Sequence, residues 1–341
     1  MNQPVNQQPV PEQILQIITN FWSSRAVYVF SKLGIPDLLK SGPKTVEELA
    51  SATKMHAPSL YRVLRALASI GFVSATADGR FAQTPVSEIL VTDAPGSLRW
   101  YTISELGQEH YPAWGNLMHS IRTGEIAFDN FFGADVWKYF EQNPEDAAVF
   151  NNSMSSATAA TNEEILALYD FSSFGTVVDV GGGHGGLITS LLKANPKLKG
   201  ILLDAPQVIE GARPKIEEAG LSNRCETVGG DFFKAVPAGG DAYVMKWIIH
   251  DWDDERAAQI LRNCHRALRP GGKVLIVDAV IPPGNGAHFG KLLDLEMLVL
   301  TPRGRERTKA EFYDLLKRSG FRPRRVVPTK THLSVVEGVR T

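Results

Sequence analysis

Cysteine is nearly absent from this 341-residue chain: Cys225 and Cys264 are the only two, with no CxxC pair and no Cys/His spacing suited to zinc. Two thiols so far apart in sequence read as free groups in a reducing, cytoplasmic setting. An excess of either charge is lacking too, since 36 Lys and Arg meet 37 Asp and Glu. That balance excludes the global basic field that draws a protein to nucleic acid or to an anionic membrane. No uninterrupted apolar run approaches a membrane span. The opening Met1 to Pro11 has neither a cationic start nor an apolar core, so it reads as a frayed polar tail and not as a signal peptide. The length allows a large core and suggests two domains.

Glycine, by contrast, is concentrated at one place. Val177-Val178-Asp179-Val180 reads as a short buried strand, Gly181 to Gly186 holds five glycines in six residues, and Leu187 to Lys193 has helical spacing. Strand, glycine turn and helix make the nucleotide-binding corner of a doubly wound sheet, where a ligand can lie against bare backbone. The glycines alone leave three readings open. Gly181-x-Gly183-x-Gly185 suits an S-adenosylmethionine site, Gly181-x-Gly183-x-x-Gly186 fits a dinucleotide fingerprint, and a tight turn needs no ligand at all.

Strands and helices then alternate. Gly200 to Asp204 reads as a second strand, Cys225 to Val228 as a third, Ala242 to Ile249 as a fourth and Val274 to Asp278 as a fifth. Asp204 stands where an acid can accept from both ribose hydroxyls, or where it can cap the helix ahead of Pro206. Asp231 and Phe232 offer an acid and a ring face for an adenine. Phe321 to Pro328 and Leu333 to Gly338 pair as a C-terminal hairpin. A dehydrogenase would repeat the βαβ unit; a closing hairpin, and the Leu268-Arg269-Pro270-Gly271-Gly272 turn before the fifth strand, point to a methyltransferase sheet.

Ahead of this lie three helices and a hairpin, a winged-helix unit. The first helix, Ile14 to Leu33, is apolar around most of its girth, so it must be buried within the domain or against another chain. Thr45 and Glu48 form a capping box for the second. The third offers only Arg62 and Arg65 among Leu60, Val63, Leu64 and Leu67, which disfavours DNA binding and favours an apolar dimerisation module. Between Trp100 and Leu168 the pattern is helical and rich in aromatics, suited to core packing or to lining a pocket for a flat ligand.

Three ordered stretches carry a family resemblance: Asp179 to Gly185, Lys246 to Glu255, and Gly304-Arg305-Glu306-Arg307-Thr308. Over nearly its whole length the chain resembles the small-molecule S-adenosylmethionine-dependent O-methyltransferases of the caffeate and hydroxyindole type. The resemblance implies an α/β fold, with a Rossmann-like class I methyltransferase sheet over 106–341 and a winged-helix dimerisation domain over 1–105. Residues 106–168 would form a helical, substrate-lining connector. It implies a metal-free enzyme using S-adenosylmethionine, a homodimer and a small aromatic hydroxylated substrate. Cofactor contacts fall on Gly181, Gly183, Asp204, Asp231, Phe232, Lys246, Met154 and Thr158. The base falls on His250 and its supporting acids on Asp278 and Glu306, with Asp278 in place of the more usual Glu. Phe150, Met154, Trp247, Met297 and Thr301 should face the acceptor. Glu296 is left open between a polar contact to the acceptor and solvent.

The chemistry explains these residue types. Methyl transfer from a sulfonium is an in-line displacement governed by alignment. A phenol of pKa about 10 is a poor nucleophile until a histidine takes its proton. Asp253, Asp254 and Glu255 read as the solvated first turn of a helix, not as a metal site. Two other functions compete: a non-methylating relative performing hydroxylation or decarboxylation, which would not need His250, and a winged-helix cofactor sensor, which the scarcity of basic residues disfavours.

Overall fold

A computed structural model describes residues 9–341. The chain packs as two units, the first ending at Tyr111 and the second running from Pro112 to Thr341.

In the first unit, a helix spans Val10–Lys32, followed by helices Val46–Thr53 and Ala57–Ser69. The capping box forms as expected: Thr45 N–H donates to Glu48 at 2.7 Å, and Glu48 N–H donates back to Thr45 Oγ1 at 3.2 Å. Leu60, Leu64 and Leu67, spaced on one helical face, are buried with Phe30 and Leu49. Strands β1 (Val73–Ala75) and β2 (Phe81–Gln83) form the antiparallel wing, and Phe81 fills the space beneath it. The first helix does not bury its apolar girth within this unit. Ile14, Ile17, Ile18, Phe21 and Trp22 all stay exposed, Trp22 at 61%, a patch of the kind that marks an interaction surface.

The second unit is built on β3 (Thr176–Val180), β4 (Lys199–Asp204), β5 (Cys225–Gly229), β6 (Ala242–Lys246), β7 (Lys273–Ile281), β8 (Arg307–Thr308), β9 (Phe321–Pro328) and β10 (Leu333–Arg340). Their order is β5-β4-β3-β6-β7-β10-β9, with β8 paired to β7. The strands from β5 to β7 are parallel, and β10 enters antiparallel between β7 and β9. This is the sheet the closing hairpin foretold. Val177, Val178, Leu202, Val244, Leu275 and Val277 are buried because helices cover both faces.

Strand order reverses between β3, which continues to β4, and β6 on its other side. Such a switch point opens a crevice at the carboxyl ends of the strands, and here those ends are Gly181 and Trp247. The fourth strand is shorter than expected. It stops at Lys246; Trp247 takes a left-handed φ of +57°, and Ile249–Asp251 form a 3₁₀ turn. Strand β8 was not foreseen, because two residues of a polar Glu-Arg-Thr run carry no alternation to read.

Candidate active site

The glycine loop supplies a bare cradle. Gly181, Gly183 and Gly185 have φ of +70°, +57° and +79°, which side chains other than glycine rarely accept. A Cβ on Gly181 would collide with Ile248 and lie 3.5 Å from the Phe232 ring, whereas one on Gly183 would meet nothing within 4 Å. The loop thus shows open backbone at Gly183 beside the half-buried face of Phe232. Asp204 stands at the end of β4, its Oδ2 accepting from Gly183 N–H and its Oδ1 from Ala205 N–H, both at 2.7 Å. The helix that follows is capped at Ala205, so the N-cap reading of Asp204 does not hold. Burial lifts the Asp204 carboxyl above the usual carboxylate range while the two amides pull it back. Asp231 is exposed, with Oδ1 accepting from Phe233 N–H. Open backbone, an aromatic face and two carboxylates with unused lone pairs fit a nucleoside bearing a vicinal diol.

Under the cradle, Asp179 is 1% exposed, and burial pushes its carboxyl up to about 7. Lys246 is also buried, and burial pulls its ammonium down to about 7 although Asp179 opposes this. Its Nζ donates to Thr161 Oγ1 at 2.6 Å, Asn162 Oδ1 at 3.0 Å and the Thr158 carbonyl at 3.2 Å, all on the helix Pro144–Leu168.

On the far side of the crevice, the turn after β6 carries His250. Its Nδ1 lies 2.7 Å from Glu306 Oε1 and its Nε2 3.6 Å from Asp251 Oδ1. Burial alone would discharge this ring, but Glu306, Asp251 and Asp278 outweigh it and push the imidazole up to about 10. Burial in turn raises Asp251 to about 7 and Asp278 to about 6, against the pull of the His250 charge. Asp278 supports the ring differently from expectation. Among the described residues it makes no hydrogen bond to the imidazole. Its Oδ1 instead accepts from Trp247 N–H at 2.9 Å, holding the left-handed residue that ends β6.

The stretch 304–308 locks this turn in place. Arg305 N–H donates to the His250 carbonyl at 2.8 Å. Any Cβ on Gly304 would strike that same carbonyl and Thr301 Oγ1, so glycine is needed for the approach. Arg307, with no exposed surface, donates to the carbonyls of Ile249 and Trp252 and to Asp254. Asp254 therefore anchors Arg305, Arg307 and Arg318 and is no solvated first-turn acid; Asp253 is the cap, accepting from Glu255 and Arg256 N–H.

The acceptor candidates divide. Phe150 stacks on Phe140 with centroids 4.7 Å apart, and Trp137 stacks on Trp252, so part of the aromatic set is packing. Phe150, Met154 and Trp247 are half-buried, while Met297 and Thr301 are buried and the Thr301 hydroxyl donates to the Met297 carbonyl. Glu296 accepts from the Trp114 indole N–H, so the solvent reading of that residue fails. Sequence reading missed Asp251, whose carboxylate neighbours the base at Nε2. It missed Arg307, since a fully buried arginine is rare. It also missed His332, which burial holds below the ordinary histidine value within reach of the Glu306 and His250 charges. Only the adjacency of Asp251 and Arg307 to His250 and Glu306 gave a signal. His184, read as a loop residue, takes a bond from Lys215 at 2.7 Å.

Known proteins resemble this chain over most of its length. Residues 114–322 match an O-methyltransferase domain, and residues 15–93 match an O-methyltransferase dimerisation domain. A phenazine O-methyltransferase of Lysobacter antibioticus is 45% identical over 96% of both chains. A mitomycin biosynthesis 6-O-methyltransferase of Streptomyces lavendulae is 39% identical, over 93% of this chain and 90% of its own. An O-methyltransferase from neocarzinostatin biosynthesis, solved in complex with S-adenosylmethionine and 2-hydroxy-5-methyl naphthoic acid, superposes with a TM-score of 0.81. It is 36% identical, covering 93% of this chain and 96% of its own.

Proposed function

The chain belongs to the S-adenosylmethionine-dependent O-methyltransferase family, and from that premise we propose that it methylates a phenolic hydroxyl of a small aromatic acceptor, as a homodimer, with His250 taking the proton. S-adenosylmethionine, when bound, supplies an electrophilic methyl group. Gly181, Gly183, Asp204, Asp231 and Phe232 would hold its nucleoside, with Met154 and Thr158 toward its other end. The crystallised relative's naphthoic acid, which carries a hydroxyl, supports an aromatic acceptor here. The exposed apolar helix, inside the stretch that matches a dimerisation domain, supports the homodimer.

The observation that carries the base is the 2.7 Å bond between His250 Nδ1 and Glu306. With Nδ1 engaged, Nε2 is the ring atom left for an acceptor hydroxyl, and the surrounding carboxylates stabilise the imidazolium that proton uptake creates. An intact pair of base and carboxylate also favours methylation over decarboxylation or hydroxylation, which have no use for it.

The test is His250→Ala. Turnover at pH 7 falls by about two to four powers of ten, S-adenosylhomocysteine affinity is unchanged, and the deficit narrows as pH nears the phenol's own pKa of about 10. Near-normal turnover at pH 7, or a deficit that is constant with pH, refutes the base.

A further inference from the structure

Lys246 ends the strand that leads to His250, and the family resemblance gives it to the cofactor. Its donors are already used. An ammonium has three protons and accepts nothing, and Nζ has three acceptors: Thr161 Oγ1 at 2.6 Å, Asn162 Oδ1 at 3.0 Å and the Thr158 carbonyl at 3.2 Å. All three lie together in the second half of the helix Pro144–Leu168. Asn162 reaches further: its Nδ2 donates to the Gly186 carbonyl and to Ser190 Oγ, both at 3.0 Å, on the helix that leaves the glycine loop. Gly186 is small enough for this approach, since a Cβ there would stand 3.0 Å from Thr158 Cγ2. One helical turn is thus tied both to the end of β6 and to the start of the loop helix.

That turn sets the rest of its helix. Phe150, Met154 and Thr158 follow at intervals of four, so they share one face, and fixing the rotation at Thr158 fixes the direction of the other two. The helix buries the polar side chains Ser153, Thr161 and Asn162 alongside the apolar Ile165, so hydrogen bonds share in holding it down. We propose that Lys246 is a positioning residue: its ammonium latches the Pro144–Leu168 helix, and with it the Phe150–Met154–Thr158 face, to the catalytic strand, and its side chain is not a ligand of S-adenosylmethionine. Burial explains why the latch is demanding, because an ammonium 8% exposed without these oxygens would sit uncompensated. The consequence for turnover rests on the reading above, that this face carries Phe150 and Met154 toward the acceptor and Met154 and Thr158 toward the cofactor.

Thr161→Val tests the latch without touching any residue assigned to the chemistry, since it removes the shortest bond and keeps the shape. In the full-length protein, hydrogen–deuterium exchange of amides in 144–168 should rise about tenfold, as expected for loss of one charge-assisted bond. The KM for the phenol should rise by about fivefold to tenfold, with Thr161→Ser restoring parent behaviour. Lys246→Met should loosen the same helix, and the double variant should be no looser than Lys246→Met alone. Parent-like exchange in Thr161→Val overturns the proposal, as does a Lys246→Met variant that loses S-adenosylhomocysteine affinity while its helix stays protected. A protein that shows the exchange pattern yet methylates no phenol upholds the latch and rejects only the function proposed above.

Discussion

Replacing Glu306 by Gln removes one negative charge from His250 Nδ1 and leaves an oxygen that can still accept its proton. The rise of the ring from 6.5 to about 10 corresponds to roughly 5 kcal/mol of preference for the charged form. Burial opposes that preference, so the carboxylates supply more than the net. Glu306 is foremost among them and the one in hydrogen-bond contact, and a charge-assisted bond of this kind accounts for about 2–3 kcal/mol. A basic group whose folded pKa lies above its unfolded value adds stability in full below the unfolded pKa, and loses it as pH rises through the folded one. Glu306→Gln should therefore destabilise the protein by about 2–3 kcal/mol near pH 6, and by much less near pH 10. Denaturant unfolding at pH 6, 8 and 10 reads this directly, and NMR titration of ring-labelled histidine should show the His250 step moved to lower pH. Turnover at neutral pH should drop by about tenfold to a hundredfold, less than for loss of the ring, because Gln preserves its orientation. A destabilisation of equal size at pH 6 and pH 10, or an unmoved ring titration, would refute the charged pair.

Two further outcomes follow from the other ends of the molecule. Asp204→Ala should weaken S-adenosylhomocysteine binding by about 1.5–3 kcal/mol in calorimetry, since a charged acceptor for two hydroxyls is gone; parent affinity would remove the ribose from the end of β4. The parent should scatter light as a stable dimer at micromolar concentration, and Phe21→Glu with Trp22→Glu should dissociate or precipitate it, because carboxylates would enter an apolar contact; a parent monomer would contradict the role of the exposed helix.

The sheet was legible because its strands announce themselves. Val177 to Val180 and Val274 to Val277 are runs rich in β-branched residues beside glycine turns, and the closing hairpin separated one cofactor fold from another. The pairing of His250 with Glu306 was visible only as two motifs 56 residues apart, which the fold brings to 2.7 Å. The end of the fourth strand was not legible, since Met245-Lys246-Trp247-Ile248-Ile249 is uniformly strand-like. A carboxylate on the neighbouring strand, Asp278, bonds the Trp247 amide where the chain turns instead. Nor did local pattern reveal where Lys246 points, because its acceptors lie 84 to 88 residues away. Arg307 was hidden by the expectation that arginine is solvated; only the folded turn shows the two carbonyls, of Ile249 and Trp252, that justify burying it.

The central claim is transfer of a methyl group to a phenolic oxygen. Incubating the full-length protein with methyl-labelled S-adenosylmethionine and a panel of hydroxylated aromatics, then locating the label by mass spectrometry and NMR, tests it most directly. The account predicts stoichiometric appearance of label as an aryl methyl ether together with S-adenosylhomocysteine. Label on nitrogen or carbon, or acceptor turnover with the labelled methyl still on its donor, would contradict it.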